Sequence, residues 1–372
     1  MSQTFDAVVI GAGIAGATVA AHLAATHKVA LVEAEDVAGY HTTGRSAALW
    51  TANYGPPDVR TLSLLSRPFF EAPPPGFTET PLLTRRAVLF LAPENQATAL
   101  DTVLTEGSGL REVSLAEAAS LLPVLRPGYA TRAAVEEDAF DMDVAALHGG
   151  FLRQLRAKGG TLALRSRTGR IARQNGAWAV EVTGGTLFTA PVVVNASGAW
   201  GDEVAAQAGV APLGLVPKRR TGCIIDPAPH AVRDWPMAMD VAGTWYARPE
   251  ARTRLMVSPA DETPMPAHDV QPDDLDVALA IDRMQAALML DVHRVEHRWA
   301  GLRTFSPDGS LAFGWDADMP GFMWCVGQGG YGIQTSPAAG HLVASLVAGR
   351  DPGAAAAVLP AVDPARFRRL AA

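Results

Sequence analysis

The most constraining feature of this chain is a six-residue glycine loop, Gly11-Ala12-Gly13-Ile14-Ala15-Gly16, set between an apolar run and an alanine-rich stretch. Phe5 to Ile10 reads as a parallel strand buried on both faces, and the pattern after the loop predicts a helix from about Ile14 to Thr26. Lys28 to Glu33 supplies a second strand and completes a β-α-β unit. Gly11 then permits the tight turn, Gly13 lets backbone approach a pyrophosphate, and Gly16 lets the helix lie close to its strand. Through Ile14 and Ala15 the helix N-terminus offers N–H groups and a positive dipole to phosphate. Glu33, followed by Ala34, places a carboxylate where ribose hydroxyls would lie. The unit implies an adenine dinucleotide, and alone it does not separate FAD from NAD. No second copy marks a separate nicotinamide domain.

The same glycines exclude a membrane span for the apolar run from Ala7 to Ala25, because strand must turn into helix inside it. The charges that flank a signal peptide are absent, and the first strand begins almost at the initiator methionine, so a cytoplasmic protein is expected. Two distant cysteines, Cys223 and Cys325, form no disulfide framework and fit a reducing compartment. A net charge of −7 argues against nucleic acid or an anionic membrane as the main partner. His268, His293 and His297 have no metal-ligand spacing, and His148 reads as a packed or capped helix residue.

With 372 residues, 48% hydrophobic and 19% charged, the chain is globular and long enough for two intertwined domains. Ser114-Leu115-Ala116-Glu117 is a capping box, Asp143 to Lys158 a helix stopped by two glycines, and Asp273 to Leu290 a long amphipathic helix. Segments between residues 213 and 258 read as successive antiparallel strands, and a C-terminal helix is expected from Pro337. The fold class is α/β (α+β overall). A Rossmann-like nucleotide domain (1–48, 140–212 and 300–372) carries an inserted antiparallel-sheet substrate domain (49–139 and 213–299).

Three further segments complete the pattern: Gly39-Tyr40-His41-Thr42-Thr43-Gly44-Arg45-Ser46-Ala47-Ala48, Val194-Asn195-Ala196-Ser197-Gly198-Ala199-Trp200 and Gln328-Gly329-Gly330-Tyr331-Gly332-Ile333-Gln334-Thr335-Ser336. With the glycine loop they resemble the D-amino-acid oxidase superfamily, and within it the bacterial D-arginine dehydrogenase type of FAD-dependent D-amino acid dehydrogenase. Further matches at Pro217-Lys218-Arg219-Arg220 and Trp299-Ala300-Gly301-Leu302-Arg303 carry the resemblance along nearly the whole chain.

The resemblance implies non-covalent FAD. It sets His41, Gly44, Arg45, Ser46, Ala47 and Ala48 beside the cofactor, with Gly198 and Trp200 against it. Gly329, Gly330, Tyr331, Gly332 and Ile333 fall near the isoalloxazine. Arg45 would offset phosphate charge. Arg220 and Arg303 would clamp a substrate carboxylate, with Tyr54 and Tyr246 closing the site and Gly330 and Gln334 lining it. Arg219 reads as a solvated neighbour. The implied reaction is oxidative deamination of a D-amino acid by hydride transfer from Cα to flavin N5. The imino acid then hydrolyses to a 2-oxo acid and ammonia, and electrons pass to a quinone, another carrier or O2.

Departures from the family pattern bear on the substrate. Val88 stands where basic-substrate relatives carry a glutamate, and Leu49 where they carry a histidine. An unpaired guanidinium in a buried site is costly, so arginine is expected to be a poor substrate. Leu49, Trp50, Val88, Met237, Met239 and Trp245 would give an apolar pocket for neutral or hydrophobic side chains. Arg85 and Arg86 read as residues of a solvated strand edge, with inward recruitment of an acidic side chain as the rival. No protein base is evident, which predicts activity rising with pH. Alternatives are a glycine/sarcosine-type amine oxidase, an FAD-dependent 2-hydroxy acid dehydrogenase, and a flavin-binding subunit without turnover.

Overall fold

The computed structural model describes residues 2–368. A six-stranded sheet has the order Thr161–Ala163, Val29–Val32, Ala7–Ile10, Val192–Asn195, Phe322–Val326 and Ala312–Trp315. The first five strands are mutually parallel and the last is antiparallel. Helices Ile14–Leu23, Val144–Ala157 and Gly332–Val347 cover one face through an apolar core that includes Leu31, Phe151, Val194 and Leu342. A small four-stranded sheet covers the other face around Trp178, Phe188 and Trp324. Parallel strands buried on both sides need this three-layer arrangement, which is why Val29–Val32, Ala7–Ile10 and Val192–Asn195 are almost wholly apolar.

A second sheet of nine strands joins residues 88–136 to residues 216–305. Helix Asp274–Ala287 packs on it over a core containing Trp245, Leu255 and Met284. The strands expected between 213 and 258 form as Val216–Ile225, Met237–Asp240, Tyr246–Glu250 and Arg254–Ser258. The sheet is not wholly antiparallel, however: Met237–Asp240 runs parallel to Val88–Ala92. These two strands come from distant stretches of chain, so no hairpin obliges them to run in opposite directions. The expected boundary between residues 299 and 300 falls inside one strand, Val295–Phe305, which pairs with Val216–Ile225.

Side-chain caps set three helix starts. Asp143 accepts from the Ala146 N–H at 2.8 Å, Ser114 from the Glu117 N–H at 3.1 Å, and Asp273 from the Leu275 N–H at 2.9 Å. Short helices Leu359–Val362 and Ala365–Arg368 follow the helix expected from Pro337, and that helix is a correction. It begins at Gly332, five residues ahead of the expected start, and carries Pro337 in its interior. Proline leaves the Ile333 carbonyl without its helical donor, and the Ser336 hydroxyl donates to that carbonyl at 2.9 Å. The helix N-terminus therefore follows the Gln328–Gly330 loop directly. Among the described residues no helix is long and apolar enough to cross a membrane.

Candidate functional site: a cavity with a backbone end and an arginine end

One continuous cavity runs from the end of the first two parallel strands to the face of the nine-stranded sheet. At its first end Gly11, Gly13, Ile14, Ala15, Glu33 and Ala34 form the wall. Gly11 has φ +99°, and a Cβ there would sit 2.6 Å from the Ala196 carbonyl oxygen. At Gly16 a Cβ would lie 1.9 Å from the Gly11 carbonyl oxygen, so this glycine does not line the cavity but lets the helix approach its strand. Glu33 accepts from the N–H groups of Ala12 at 2.8 Å and Glu35 at 3.0 Å. The carboxylate thus rigidifies the loop while it borders the cavity.

Thr43, which sequence reasoning did not single out, holds this end together. Its hydroxyl accepts from the Ile14 N–H at 3.0 Å, supplying the cap that Gly13 cannot. Buried His148 donates from Nε2 to the Ala12 carbonyl at 2.9 Å, and burial lowers its pKa; it is packed, as its helical position suggested. His41 stacks obliquely on Trp200 with ring centres 4.6 Å apart, and both line the cavity with Ser46, Ala47 and Gly198. Gly44 and Ala48 lie outside the lining; Gly44 donates its N–H to the Gly39 carbonyl at 2.8 Å, and Ala48 has φ +32°.

Arg45 borders the cavity, but its guanidinium donates to Asp269 at 2.5 Å and to the carbonyls of Ala300 at 3.0 Å and Val270 at 3.2 Å. Instead of a free counter-charge for phosphate, it is a tie between the glycine-rich turn and the second sheet.

The other end is built by the antiparallel pair Val216–Ile225 and Val295–Phe305. Lys218 lies opposite Arg303, Arg220 opposite Gly301, and Gly222 opposite Trp299. Residues opposite one another share a face, and every second residue returns to it, so Arg220 and Arg303 are diagonal neighbours on one face. Arg219 falls on the opposite face. There it pairs with Asp276 at 2.7 Å and with Asp261 and Asp273 at 3.6 Å, so it is a buried structural cation and not a solvated neighbour. Burial is the main reason the Asp261 carboxyl is raised, with Asp276 adding to it.

Tyr246 lines the cavity beside both arginines. Burial would raise its phenol, but Arg303 and Arg220 outweigh burial and bring it below its ordinary value. Burial likewise opposes the Arg303 cation, and the Tyr54 and Tyr246 oxygens more than offset it. Arg303 Nη1 donates to the Tyr54 hydroxyl at 2.9 Å. Gly330 lies directly against this pair: a Cβ there would be 2.7 Å from the Tyr54 oxygen and 2.9 Å from Arg303 Nη1. Gly329 donates its N–H to the Thr304 carbonyl at 2.8 Å, stitching the loop to the arginine strand. Gly332 and Ile333 also line the cavity, whereas Tyr331 packs its ring edge-on to Tyr54 at 4.9 Å.

Several expected pocket residues lie elsewhere. Gln334 is buried, donates to the Ser63 hydroxyl at 2.7 Å and faces helix Pro57–Glu71. Leu49, Val88 and Met237 are not in the lining, and Trp50 and Trp245 are fully buried in the two separate cores. Val88 pairs with Met237 on one side and Glu136 on the other, so strand register takes it away from the cavity. Burial raises the Glu136 carboxyl, which accepts from the Thr51 hydroxyl at 2.7 Å. The apolar surface near the arginines comes instead from Met256 and Trp299. Trp299 can lie flat there because residue 222 is glycine; a Cβ would sit 2.8 Å from its ring. Arg85 is solvated, but Arg86 is largely buried and bonds Asp141 at 2.8 Å and the Trp235 carbonyl at 2.6 Å; neither reaches the cavity.

A family model described as DAO, FAD dependent oxidoreductase, matches residues 6–346. The chain belongs to this family. Its fold is similar to that of glycine oxidase from Geobacillus kaustophilus, with 23% identity, a TM-score of 0.83, and 94% of this chain and 95% of that one covered. It is also similar to L-proline dehydrogenase from P. horikoshii, with 20% identity, a TM-score of 0.84 and 99% of each chain covered. A third similar structure, L-alpha-glycerophosphate oxidase from Mycoplasma pneumoniae with FAD bound, has 15% identity and a TM-score of 0.83, and covers 93% of this chain and 95% of that one. The likeness at these identities is one of fold, and family membership makes FAD the cofactor. The residues fit that group. Gly11, Gly13 and the first helical turn suit a pyrophosphate, and the Gly330 backbone lies closer to Arg303 and Tyr54 than a Cβ would allow.

Proposed function

We propose that this enzyme carries out the oxidative deamination of D-amino acids with neutral or hydrophobic side chains. The observation that carries the reading is the placement of Arg220 and Arg303 on one sheet face, with the Tyr246 phenol beside them and Gly330 against Arg303. Two guanidinium groups in a largely buried site suit a carboxylate far better than a neutral ligand. Tyr246 lines the carboxylate end, Tyr54 braces Arg303 from outside the lining, and Met256 and Trp299 exclude water beside them. FAD, when bound, accepts the hydride that leaves Cα. The imino acid product hydrolyses in water to a 2-oxo acid and ammonia. Among the described residues, the acidic side chains lining the cavity are Glu33, Glu35 and Glu203, at its dinucleotide end, and Glu262 beside the clamp is already paired with Arg220 and Lys218, so a cationic substrate side chain meets no free partner there. The choice of the D-enantiomer rests on the sequence segments that resemble D-amino acid dehydrogenases, and electrons leave for a quinone, another carrier or O2.

The test is anaerobic mixing of the yellow holoenzyme with amino acids of both hands, following loss of flavin absorbance. D-leucine, D-methionine and D-phenylalanine are expected to bleach it rapidly, D-arginine slowly and the L-enantiomers not at all. Faster bleaching by an L-amino acid, by glycine or N-methylglycine, or by a 2-hydroxy acid would overturn the reading.

A further inference from the structure

The arginine end contains a carboxylate of its own. Glu262, in the turn between strands Arg254–Ser258 and Thr263–Pro264, reaches Arg220 Nη2 with Oε1 at 3.1 Å and Lys218 Nζ with Oε2 at 2.9 Å. Lys218 and Arg220 share the face that carries Arg303, and the charge of Glu262 is felt at Arg303 as well. The two guanidinium groups are therefore matched differently. Arg303 meets a phenol, whereas Arg220 meets a full negative charge. Arg220 Nε also donates to the Asp261 carbonyl at 2.8 Å, but a guanidinium this enclosed, its side chain 13% exposed, is costly to leave without a counter-charge. Glu262 is 46% exposed and keeps Lys218 as a second partner. Letting go of Arg220 costs Glu262 little, because exposed ion pairs are weak and its charge stays matched.

We infer that Glu262 is a stand-in for the substrate carboxylate: it satisfies Arg220 until substrate arrives, then yields to it while remaining on Lys218, and so sets how tightly carboxylate ligands bind. This rests on the reading of Arg220 and Arg303 as a carboxylate clamp. It makes Glu262 a specificity-determining residue that weakens all carboxylate ligands by competition. It also disfavours substrates that bring a second negative charge near the clamp.

The experiment titrates holoenzyme with benzoate, a carboxylate with no amine to oxidise, and reads the perturbation of the flavin spectrum. Wild type, Glu262→Gln, Glu262→Ala and Arg303→Met are compared at equal flavin content. Competition predicts that both Glu262 substitutions tighten benzoate binding, by about 2- to 5-fold. A structural role in holding Arg220 would weaken binding instead. Unchanged or weaker binding in both Glu262 variants, together with loss of binding in Arg303→Met, overturns the inference and leaves the clamp standing. Wild-type affinity in Arg303→Met overturns the clamp and the inference with it.

Discussion

The two ends of the cavity are made of different material. Near Gly11 the wall is backbone: glycines whose missing Cβ atoms open the surface, a helix terminus capped by Thr43, and a carboxylate occupied with loop N–H groups. Near Arg303 the wall is side chain: two arginines and a phenol projecting from a sheet, with Met256 and Trp299 between them. A backbone wall is built for one ligand shared by every member of a family, because no substitution short of distorting the chain can alter it. A side-chain wall can be rewritten one residue at a time. The proposed function sets the cofactor at the first and the substrate at the second.

If that division is sound, the two ends fail separately. Gly11→Ala forces a residue with φ +99° to carry a Cβ 2.6 Å from a carbonyl oxygen. Strain of about 1–3 kcal/mol plus the clash should leave flavin in at most about a tenth of the purified protein, read from the ratio of visible to ultraviolet absorbance. Arg303→Met should keep its flavin and lose turnover, with kcat/KM for D-methionine falling by roughly 10²- to 10³-fold, as expected for an unmatched charge in a buried site. Flavin lost alongside activity in that variant would break the comparison.

The smallest effect is also the sharpest. Because Arg303 and Arg220 overcome burial and lower the Tyr246 phenol, raising the pH should create a tyrosinate below the range of an ordinary tyrosine. That negative charge competes with the substrate carboxylate, so KM rises with pH while the proton is lost. Tyr246→Phe removes the effect, leaving KM flat across the same range with about a tenfold penalty at neutral pH. A KM profile identical in the two proteins would show that the phenol does not sense the clamp.

The backbone end was legible in the sequence and much of the arginine end was not, for one physical reason. Glycine is required wherever backbone must approach closely or adopt positive φ, so Gly11, Gly13 and Gly16 announce their own geometry. A strand residue's orientation depends on register with partners far along the chain, which no local pattern discloses. Arg219 and Arg220 are adjacent in sequence and point to opposite faces, one into a cluster of aspartates and the other into the cavity. The resemblance puts Val88, and Met237 with it, in the pocket, yet the two pair with each other outside it. Met256 carries no signal in the sequence, and Trp299 stands in a segment of the resemblance that does not mark it as pocket wall. The resemblance to known enzymes selected Arg220 and Arg303, and both line the cavity; Gln334, selected in the same way, is turned toward a helix.

Strand Val295–Phe305 carries Trp299, Gly301 and Arg303 on the cavity face, accepts the tie from Arg45 through Ala300, and is held by Val216–Ile225 along almost its whole length. Its alternation makes the enzyme unequally tolerant of change. Substitutions along it would be graded by size and charge. Loss or gain of a single residue would turn the arginine into the sheet's other face and present a leucine or threonine to the cavity in its place. In lineages of this fold, lengths should therefore drift in the outer turns and stay frozen here, and a designer wishing to retune the substrate would do best to change letters in this strand and never their number.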